Sequence, residues 1–361
     1  MKLALTAGGT GGHIFPAFAV LDAVLAARPG TETRFFGPED RGERALVEAR
    51  GIRFESVPSA QVRGRGPLKL LRSGARLFAG IWLALRKLRS FRPDVLFSTG
   101  GYGSFPSCVA ARLLRVPVVV FLPDVSPGWA VRAEMRLATR MATTTDAALE
   151  FLPRSKTVVT GYPVRSAFKT IEREGARASL GLTETDTMVL VAGASQGAGA
   201  INRTIFAALP DLIEQHSLFH ITGTGGIDEA TALRAGLGDR VARYQPAAFR
   251  DDLPTLMLAA DIAVMRAGAS VLGELPAAGL PSVLVPGTFA GGHQHDNARW
   301  LVDAGAAEIL EESRLDELHI RVEALLADRE LLAEMRSAAT KRARPDAAEK
   351  IANLILEVAR K

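Results

Sequence analysis

Short apolar runs alternate with amphipathic stretches from one end of the chain to the other. Lys2–Thr6, Thr33–Phe36, Phe54–Val57, Val95–Ser98, Val118–Leu122 and Met141–Thr144 have the length and residue content of strands. Val118-Val119-Val120 is apolar on both faces, as in a parallel sheet covered by helices on each side. Between these runs, Ile14–Ala27, Arg41–Arg50, Pro67–Ser90, Phe105–Leu114 and Trp129–Ala138 predict helices. Strand and helix in alternation make βαβ units. The pattern restarts after Gly161-Tyr162-Pro163. Met188–Ala192, Phe219–Thr222, Val241–Tyr244, Ile262–Met265 and Ser282–Val285 predict a second parallel sheet, and Ala347–Lys361, after Pro345, a final helix. The expectation is two similar α/β domains, 1–162 and 163–344, with a linker near Gly161–Arg165 and a C-terminal helical segment, 345–361, packed back on the first. Open parallel sheets bind ligands at the carboxyl ends of their strands. Two such domains face to face would hold theirs in the cleft between them.

A length of 361 residues suits two domains. The single cysteine, Cys108, excludes a disulfide framework, suits a reducing compartment and reads as core rather than nucleophile. A strand and a glycine loop stand where a signal peptide would, and no run approaches the ~18 apolar residues of a membrane span. Net charge is +5, but between Pro58 and Pro93 there are nine cations and no acidic residue, so the rest of the chain is net negative. Those cations are Arg63, Arg65, Lys69, Arg72, Arg76, Arg86, Lys87, Arg89 and Arg92. Charge placed this way argues for a local anionic partner and against nucleic acid over the whole surface. In the same segment Leu71, Gly74, Phe78, Ile81, Trp82, Leu85 and Leu88 recur at helical spacing beside Lys69, Arg72, Arg76 and Arg86. That is either a core-facing helix with a solvated basic side or a helix that docks on an anionic leaflet.

Chemistry concentrates in the loops. The first strand runs into Gly8-Gly9-Thr10-Gly11-Gly12-His13. Bare backbone amides ahead of a helix let a phosphate, or a sugar carried on one, approach the main chain. The loop does not spell G-x-G-x-x-G, and no acidic residue follows at the expected distance, so a nicotinamide dinucleotide is poorly supported. His13, where the helix begins, either takes a proton from a bound hydroxyl or orders the loop. A second small-residue loop, Gly193-Ala194-Ser195-Gln196-Gly197-Ala198, follows the first strand of the second half.

Six loops in order carry a resemblance. They are Gly8–His13, Gly100-Gly101-Tyr102-Gly103-Ser104, Gly161–Arg165, Gly193–Ala198, Arg266–Glu274, and His293-Gln294-x-x-Asn297-Ala298. Together they resemble the MurG family, and the resemblance covers essentially the whole chain. It implies a GT-B fold: two Rossmann-like, doubly wound parallel-sheet domains with the active site in the cleft between them. It implies inverting, metal-independent transfer of N-acetylglucosamine from UDP-N-acetylglucosamine to the 4-hydroxyl of the muramoyl sugar of lipid I, giving lipid II for peptidoglycan. By the same resemblance the partners are UDP-N-acetylglucosamine, the polyprenyl-diphosphate-linked acceptor, an anionic membrane surface on the cytoplasmic side, and other cell-wall enzymes as candidates. No cofactor is implied.

The resemblance also distributes roles. Thr10, Gly11, Gly12 and Tyr102 face the acceptor; an inverting transfer needs a base for the acceptor hydroxyl, for which His13 is the candidate and Asp124 the alternative. Ser195 and the amides of Gln196 and Gly197 hold the donor diphosphate, with Arg165 adding a cation. Glu274 takes the ribose hydroxyls, within a loop and helix that include Ala269 and Ser270. Gln294 holds the sugar hydroxyls, with His293 and Asn297 close by, and Phe249 and the backbone at Arg250 recognise uracil. Phe78, Ile81, Trp82 and Leu85 contact the membrane. Read as isolated residues, Arg165 is equally a linker salt bridge, Glu274 a surface helix residue and Phe249 plain core.

Two departures stand out. Phe121-Leu122-Pro123-Asp124 replaces the family's usual His-Glu-Gln-Asn, leaving Asp124 as its polar residue, and Ala267 and Val271 replace hydroxyl-bearing residues of the donor loop. The rival readings are a related GT-B enzyme with another lipid acceptor, a non-catalytic nucleotide-sugar-binding paralogue, and a UDP-sugar 2-epimerase of the same architecture.

Overall fold

A computed structural model describes residues 1–8, 11–39, 42–60, 67–193, 198–287 and 292–359; the side chains of residues 11 and 67–71 also lie outside the description. The chain divides into two compact units, Met1–Val164 with Pro345–Lys361, and Arg165–Arg344.

The first unit is built on seven strands: β1 (Lys2–Thr6), β2 (Glu32–Gly37), β3 (Arg53–Ser56), β4 (Val95–Ser98), β5 (Val118–Leu122), β6 (Arg140–Thr143) and β7 (Thr157–Val159). All pairs are parallel, in the order β3-β2-β1-β4-β5-β6-β7. The helices are α1 (Gly11–Ala27), α2 (Glu43–Glu48), α3 (Pro67–Phe91), α4 (Phe105–Leu113) and α5 (Trp129–Glu134). All five residues of β5 are buried, as its unbroken apolar run requires of a strand covered on both faces. Strand order reverses between β1 and β4, so the loops leaving their carboxyl ends border the crevice where such sheets bind ligands.

The second unit repeats the plan with β8 (Thr187–Ala192), β9 (His216–Ile221), β10 (Tyr244–Ala247), β11 (Ile262–Met265), β12 (Ser282–Leu284) and β13 (Ala307–Ile309), ordered β10-β9-β8-β11-β12-β13. Its helices are α6 (Ala167–Thr170), α7 (Arg173–Ser179), α8 (Gly199–Gln215), α9 (Ile227–Ala235), α10 (Leu253–Ala259), α11 (Val271–Ala278), α12 (His293–Val302), α13 (Leu318–Ala327) and α14 (Arg329–Arg342). Here the reversal falls between β8 and β11. The last helix, α15 (Ala347–Ala359), lies against α1 in the first unit with Ile351 and Ile355 fully buried.

Several elements differ from the sequence expectation. The strand expected at Val241–Tyr244 begins at Tyr244; Gly238–Arg243 is a 3-10 turn. Arg243 donates to the carbonyls of Ile213 and Glu214 at the end of α8, which holds the turn off the sheet. Tyr244 is then the first residue to pair, opposite Leu218. The helix expected to run to Ala138 stops at Glu134, and the three-residue strands β7 and β13 are too short to show any periodicity.

Candidate active site

At the first reversal the two glycine loops meet backbone to backbone. The Gly8 N–H donates to the Gly100 carbonyl at 2.7 Å. A Cβ on Gly8 would stand 2.6 Å from the Cα of Gly101, and Gly100 and Gly101 have φ of +79° and +93°. These glycines are demanded by chain packing and left-handed backbone. His13, in the first turn of α1, is joined to the same loop twice. Its Nδ1 lies 2.9 Å from the Thr99 carbonyl, and the Thr99 hydroxyl donates to the His13 carbonyl at 2.7 Å. A carbonyl only accepts, so Nδ1 carries the hydrogen of the neutral ring and Nε2 carries the lone pair. Tyr162 braces the start of the helix by donating to the Gly12 carbonyl at 3.2 Å, and its ring meets Phe121 edge-on.

Tyr102 is half-buried on the second loop, where Ser59 donates to its carbonyl at 2.5 Å. Phe121 and Leu122 are wholly buried in β5 and Pro123 is buried behind them, so the departure from the family pattern falls largely in the core. Asp124, the first residue of that stretch outside the core, is half-buried. Thr10 lies outside the described residues, as do Ser195, Gln196 and Gly197; Gly11 opens α1.

In the second unit one guanidinium joins two segments that carry site residues. Arg165 Nη2 stands 3.2 Å from Glu274 Oε1 on α11, and Nη1 donates to the Asp251 carbonyl at 3.1 Å. It thereby ties the loop after β10 to α11. Glu274 is buried, contrary to the surface reading; burial raises its carboxyl above the ordinary value, while Arg165 and the Ser270 hydroxyl beside it pull the other way. Ser270 and half-buried Ala269 lead into that helix. Phe249 is 57% exposed, so it is not core. The Arg250 side chain is held by both oxygens of Asp252, at 2.7 and 2.5 Å.

Gln294 accepts the Gly287 N–H at 2.8 Å, which leaves its amide nitrogen as donor. Asn297 is fully buried and donates to the Ala267 carbonyl at 3.1 Å, so it fixes the loop after β11 from beneath. Half-buried His293 opens α12. Ala267 and Val271 are buried, which places the second departure in the core as well. Among the described residues no three His, Cys, Asp or Glu side chains are grouped to hold a metal ion.

The apolar stripe of α3 divides in two. Ala84, Leu88 and Phe91 are buried and Leu85 packs against the same core, whereas Phe78 is 74% and Trp82 53% exposed. Ile81 is half-buried between them. Both readings of the stripe hold in part, because only its C-terminal half packs against the core formed with the sheet and α4. Arg86 lies 4.9 Å over the Trp82 ring. Among the described residues no helix is long and apolar enough to cross a membrane.

The model of the glycosyltransferase family 28 N-terminal domain matches residues 3–143, and that of the C-terminal domain matches residues 188–351. A protein of Symbiobacterium thermophilum named UDP-N-acetylglucosamine--N-acetylmuramyl-(pentapeptide) pyrophosphoryl-undecaprenol N-acetylglucosamine transferase is 36% identical, over 100% of this chain and 97% of its own. One of the same name from Desulforudis audaxviator is 35% identical, over 100% and 99%. The chain belongs to the MurG family of glycosyltransferases. The crystal structure of Acinetobacter baumannii MurG superposes with a TM-score of 0.77 at 28% identity, covering 99% of each chain, in accord with the expected GT-B fold. A UDP-GlcNAc 2-epimerase from Neisseria meningitidis shares that fold alone, at a TM-score of 0.70 and 16% identity.

Sequence reasoning missed two buried polar groups beneath these loops. His220 is wholly buried; Tyr244 donates to its Nδ1 at 3.1 Å and its Nε2 reaches Asn202 Oδ1 at 3.0 Å. Asn202 passes the chain on to the Thr222 carbonyl at 2.8 Å, and burial lowers His220 to about 4. Glu134 is the other, fully buried beneath the Gly100–Ser104 loop. A lone His in a strand and a lone Glu in a helix carry no periodic signal that marks them.

Proposed function

We propose that this enzyme transfers N-acetylglucosamine from UDP-N-acetylglucosamine to the 4-hydroxyl of the muramoyl sugar of lipid I, with inversion and without a metal. The observation that carries the reading is the full-length likeness to transferases named for that reaction, together with a histidine whose Nε2 lone pair is set by the Thr99 carbonyl. His13 takes the proton of the acceptor hydroxyl; the freed oxygen forms a bond to the anomeric carbon as the bond to the diphosphate breaks, and UDP leaves with the electron pair. Thr10, Gly11, Gly12 and Tyr102 hold the acceptor. Ser195, Gln196 and Gly197, just ahead of α8, receive the diphosphate, where amides and the helix dipole favour negative charge. Glu274 accepts from the ribose hydroxyls, Phe249 and the Arg250 backbone bound the uracil, and Ala269, Ser270, His293, Gln294 and Asn297 complete the donor side. Arg165 serves this site from its position between Asp251 and Glu274.

The enzyme works as a peripheral protein on the cytoplasmic face of the membrane. Exposed Phe78 and Trp82, beside Arg86 and Arg89, support that reading, with Ile81 and Leu85 at the margin. Asp124 is the alternative base. Half-buried Asp124, the one residue of the departing Phe121–Asp124 stretch outside the core, favours as a second reading a related GT-B enzyme with another lipid acceptor. The test is transfer of labelled N-acetylglucosamine from UDP-N-acetylglucosamine to a short-chain lipid I analogue in EDTA. Product is expected. Donor binding without product moves the acceptor to another lipid; product only when a divalent ion is restored removes metal independence.

A further inference from the structure

The loop that carries Thr99, the partner of His13, rests on a carboxyl group. Glu134, at the end of α5, is 0% exposed. Its Oε2 is 3.0 Å from the Ser98 hydroxyl and its Oε1 2.6 Å from the Ser104 hydroxyl, so it joins the end of β4 to the start of α4. Both serines in turn hold the glycines. The Gly100 N–H donates to Ser98 Oγ at 3.1 Å, and Ser104 Oγ also lies 2.7 Å from the Gly101 carbonyl. Gly100 and Gly101 are the residues pressed against Gly8. Glu134 thus lies two hydrogen bonds below the backbone of the loop that orients His13.

We propose that Glu134 is a positioning residue for the acceptor side of the transfer, and that its protonation decides which bond the Ser104 hydroxyl makes. A hydroxyl has one hydrogen to donate. With Glu134 ionised, Ser104 donates to the carboxylate, and among the described residues the Gly101 carbonyl keeps the Ser104 N–H at 3.3 Å. With Glu134 neutral, the carboxyl O–H donates to Ser104 Oγ and the Ser104 hydroxyl turns to the Gly101 carbonyl, adding a bond that fixes the loop. Desolvation places the carboxyl at about 7, so both states are populated near neutrality. The groups facing the carboxyl are Ser98 from β4, Ser104 from the loop and the Cys108 thiol from α4; burial and the neighbouring carboxylate hold that thiol well above its ordinary value, and it stays protonated. No cation pairs with Glu134 among the described residues.

The inference rests on the reading that this loop and His13 serve the acceptor. It is tested by kcat/KM for the lipid acceptor from pH 5.5 to 8.5 in the wild type and in Glu134→Gln, whose amide permanently takes the neutral carboxyl's place. The wild type is expected to lose acceptor kcat/KM several-fold through a step near pH 7 that Glu134→Gln lacks, with the donor KM within twofold of wild type at every pH. A fall by the same factor at every pH, with the step retained, reduces Glu134 to a structural residue and overturns the proposal. Should Glu134→Gln not fold, Ser104→Ala, which cannot make either bond, must remove the same step, and its retention is equally fatal. The carboxyl stretch, followed by infrared difference spectroscopy on the wild type, must report protonation of a buried acid over the same pH range. His13→Ala keeps the two readings apart: full turnover in that variant removes the base assignment, whereas an inactive His13→Ala beside an unchanged Glu134→Gln profile removes only this proposal.

Discussion

Arg165 and Glu274 form a 3.2 Å ion pair inside the second unit, and the other arm of the same guanidinium holds the Asp251 carbonyl. One cation therefore sets both the carboxylate assigned to the ribose and the loop assigned to the uracil. Removing the carboxylate strips two hydroxyls of their acceptor and takes one ion-pair contact from Arg165. A hydrogen bond to a charged group is worth roughly 1.5–3 kcal/mol, so loss of even one in Glu274→Ala should raise the donor KM by about 10- to 100-fold. Steady-state kinetics with the donor varied measures it, and an unchanged donor KM removes the ribose assignment.

The same pair predicts a pH dependence. Ribose hydroxyls donate to an ionised carboxylate, and a proton on Glu274 cancels one acceptor. Because burial raises this carboxyl, donor affinity should begin to fall on acidification at a higher pH than an ordinary glutamate would dictate. Titration calorimetry with UDP across the acid range reads the onset, and Glu274→Gln should abolish it.

His13→Ala should lower turnover by roughly 10²-fold or more while leaving the donor KM near its wild-type value, as loss of a general base requires. Thr99→Val should do less, because the carbonyl that fixes the ring tautomer remains and only the hydroxyl bond to the His13 carbonyl is lost. A near-normal kcat in His13→Ala moves the base to Asp124.

On α3 the two halves of the apolar stripe should separate by experiment. Phe78→Ser with Trp82→Ser should leave the melting temperature nearly unchanged and reduce binding to anionic vesicles, since both side chains are exposed. Leu88→Ala, in the buried half, should cost about 2–5 kcal/mol of stability and leave vesicle binding of the folded protein intact. Vesicle binding that survives the double substitution would move the membrane contact elsewhere.

Glu134 and His220 should pull stability in opposite directions with pH. Glu134 is raised from 4.5 to about 7 in the folded state, so its contribution is full below pH 4.5 and fades as pH rises to about 7. His220 is lowered from 6.5 to about 4, so its contribution is full above pH 6.5 and fades as pH falls to about 4. At 1.36 kcal/mol per unit each shift is worth roughly 3 kcal/mol. Glu134→Gln should therefore make stability rise more steeply between pH 4.5 and 7 than in the wild type, and His220→Gln less steeply. Denaturant melts at a series of pH values check both, and parallel curves would refute the assignments.

The parts of the molecule that sequence reading reached are those that local chemistry marks. Unbroken apolar runs such as Val118–Leu122 announce strands covered on two faces, and Gly8, Gly100 and Gly101 mark loops that no other residue could close. What escaped depends on contacts between residues distant in sequence. Helical spacing grouped Phe78 with Leu88, but only the packed sheet decides that the first is exposed and the second buried. Arg165 and Glu274 were legible one at a time, whereas their pairing spans 109 positions. Glu134 looked like any helix glutamate because its importance comes from Ser98, Ser104 and Cys108, which the sheet and α4 bring to it.

The contact of Gly8 with Gly101 has a consequence for how this enzyme can diversify. Two loops from different strands share a space too small for one methyl group, so a side chain added to either would push both aside together with the histidine they support. The junction of the two glycine loops is thus closed to stepwise substitution, and with it the floor of the proposed acceptor site. New acceptor preferences have to arise around its margin, at positions such as Tyr102 and Asp124 where a side chain can change without displacing a neighbouring backbone. Of the unusual Phe121–Asp124 stretch, the residue outside the core, Asp124, already stands there.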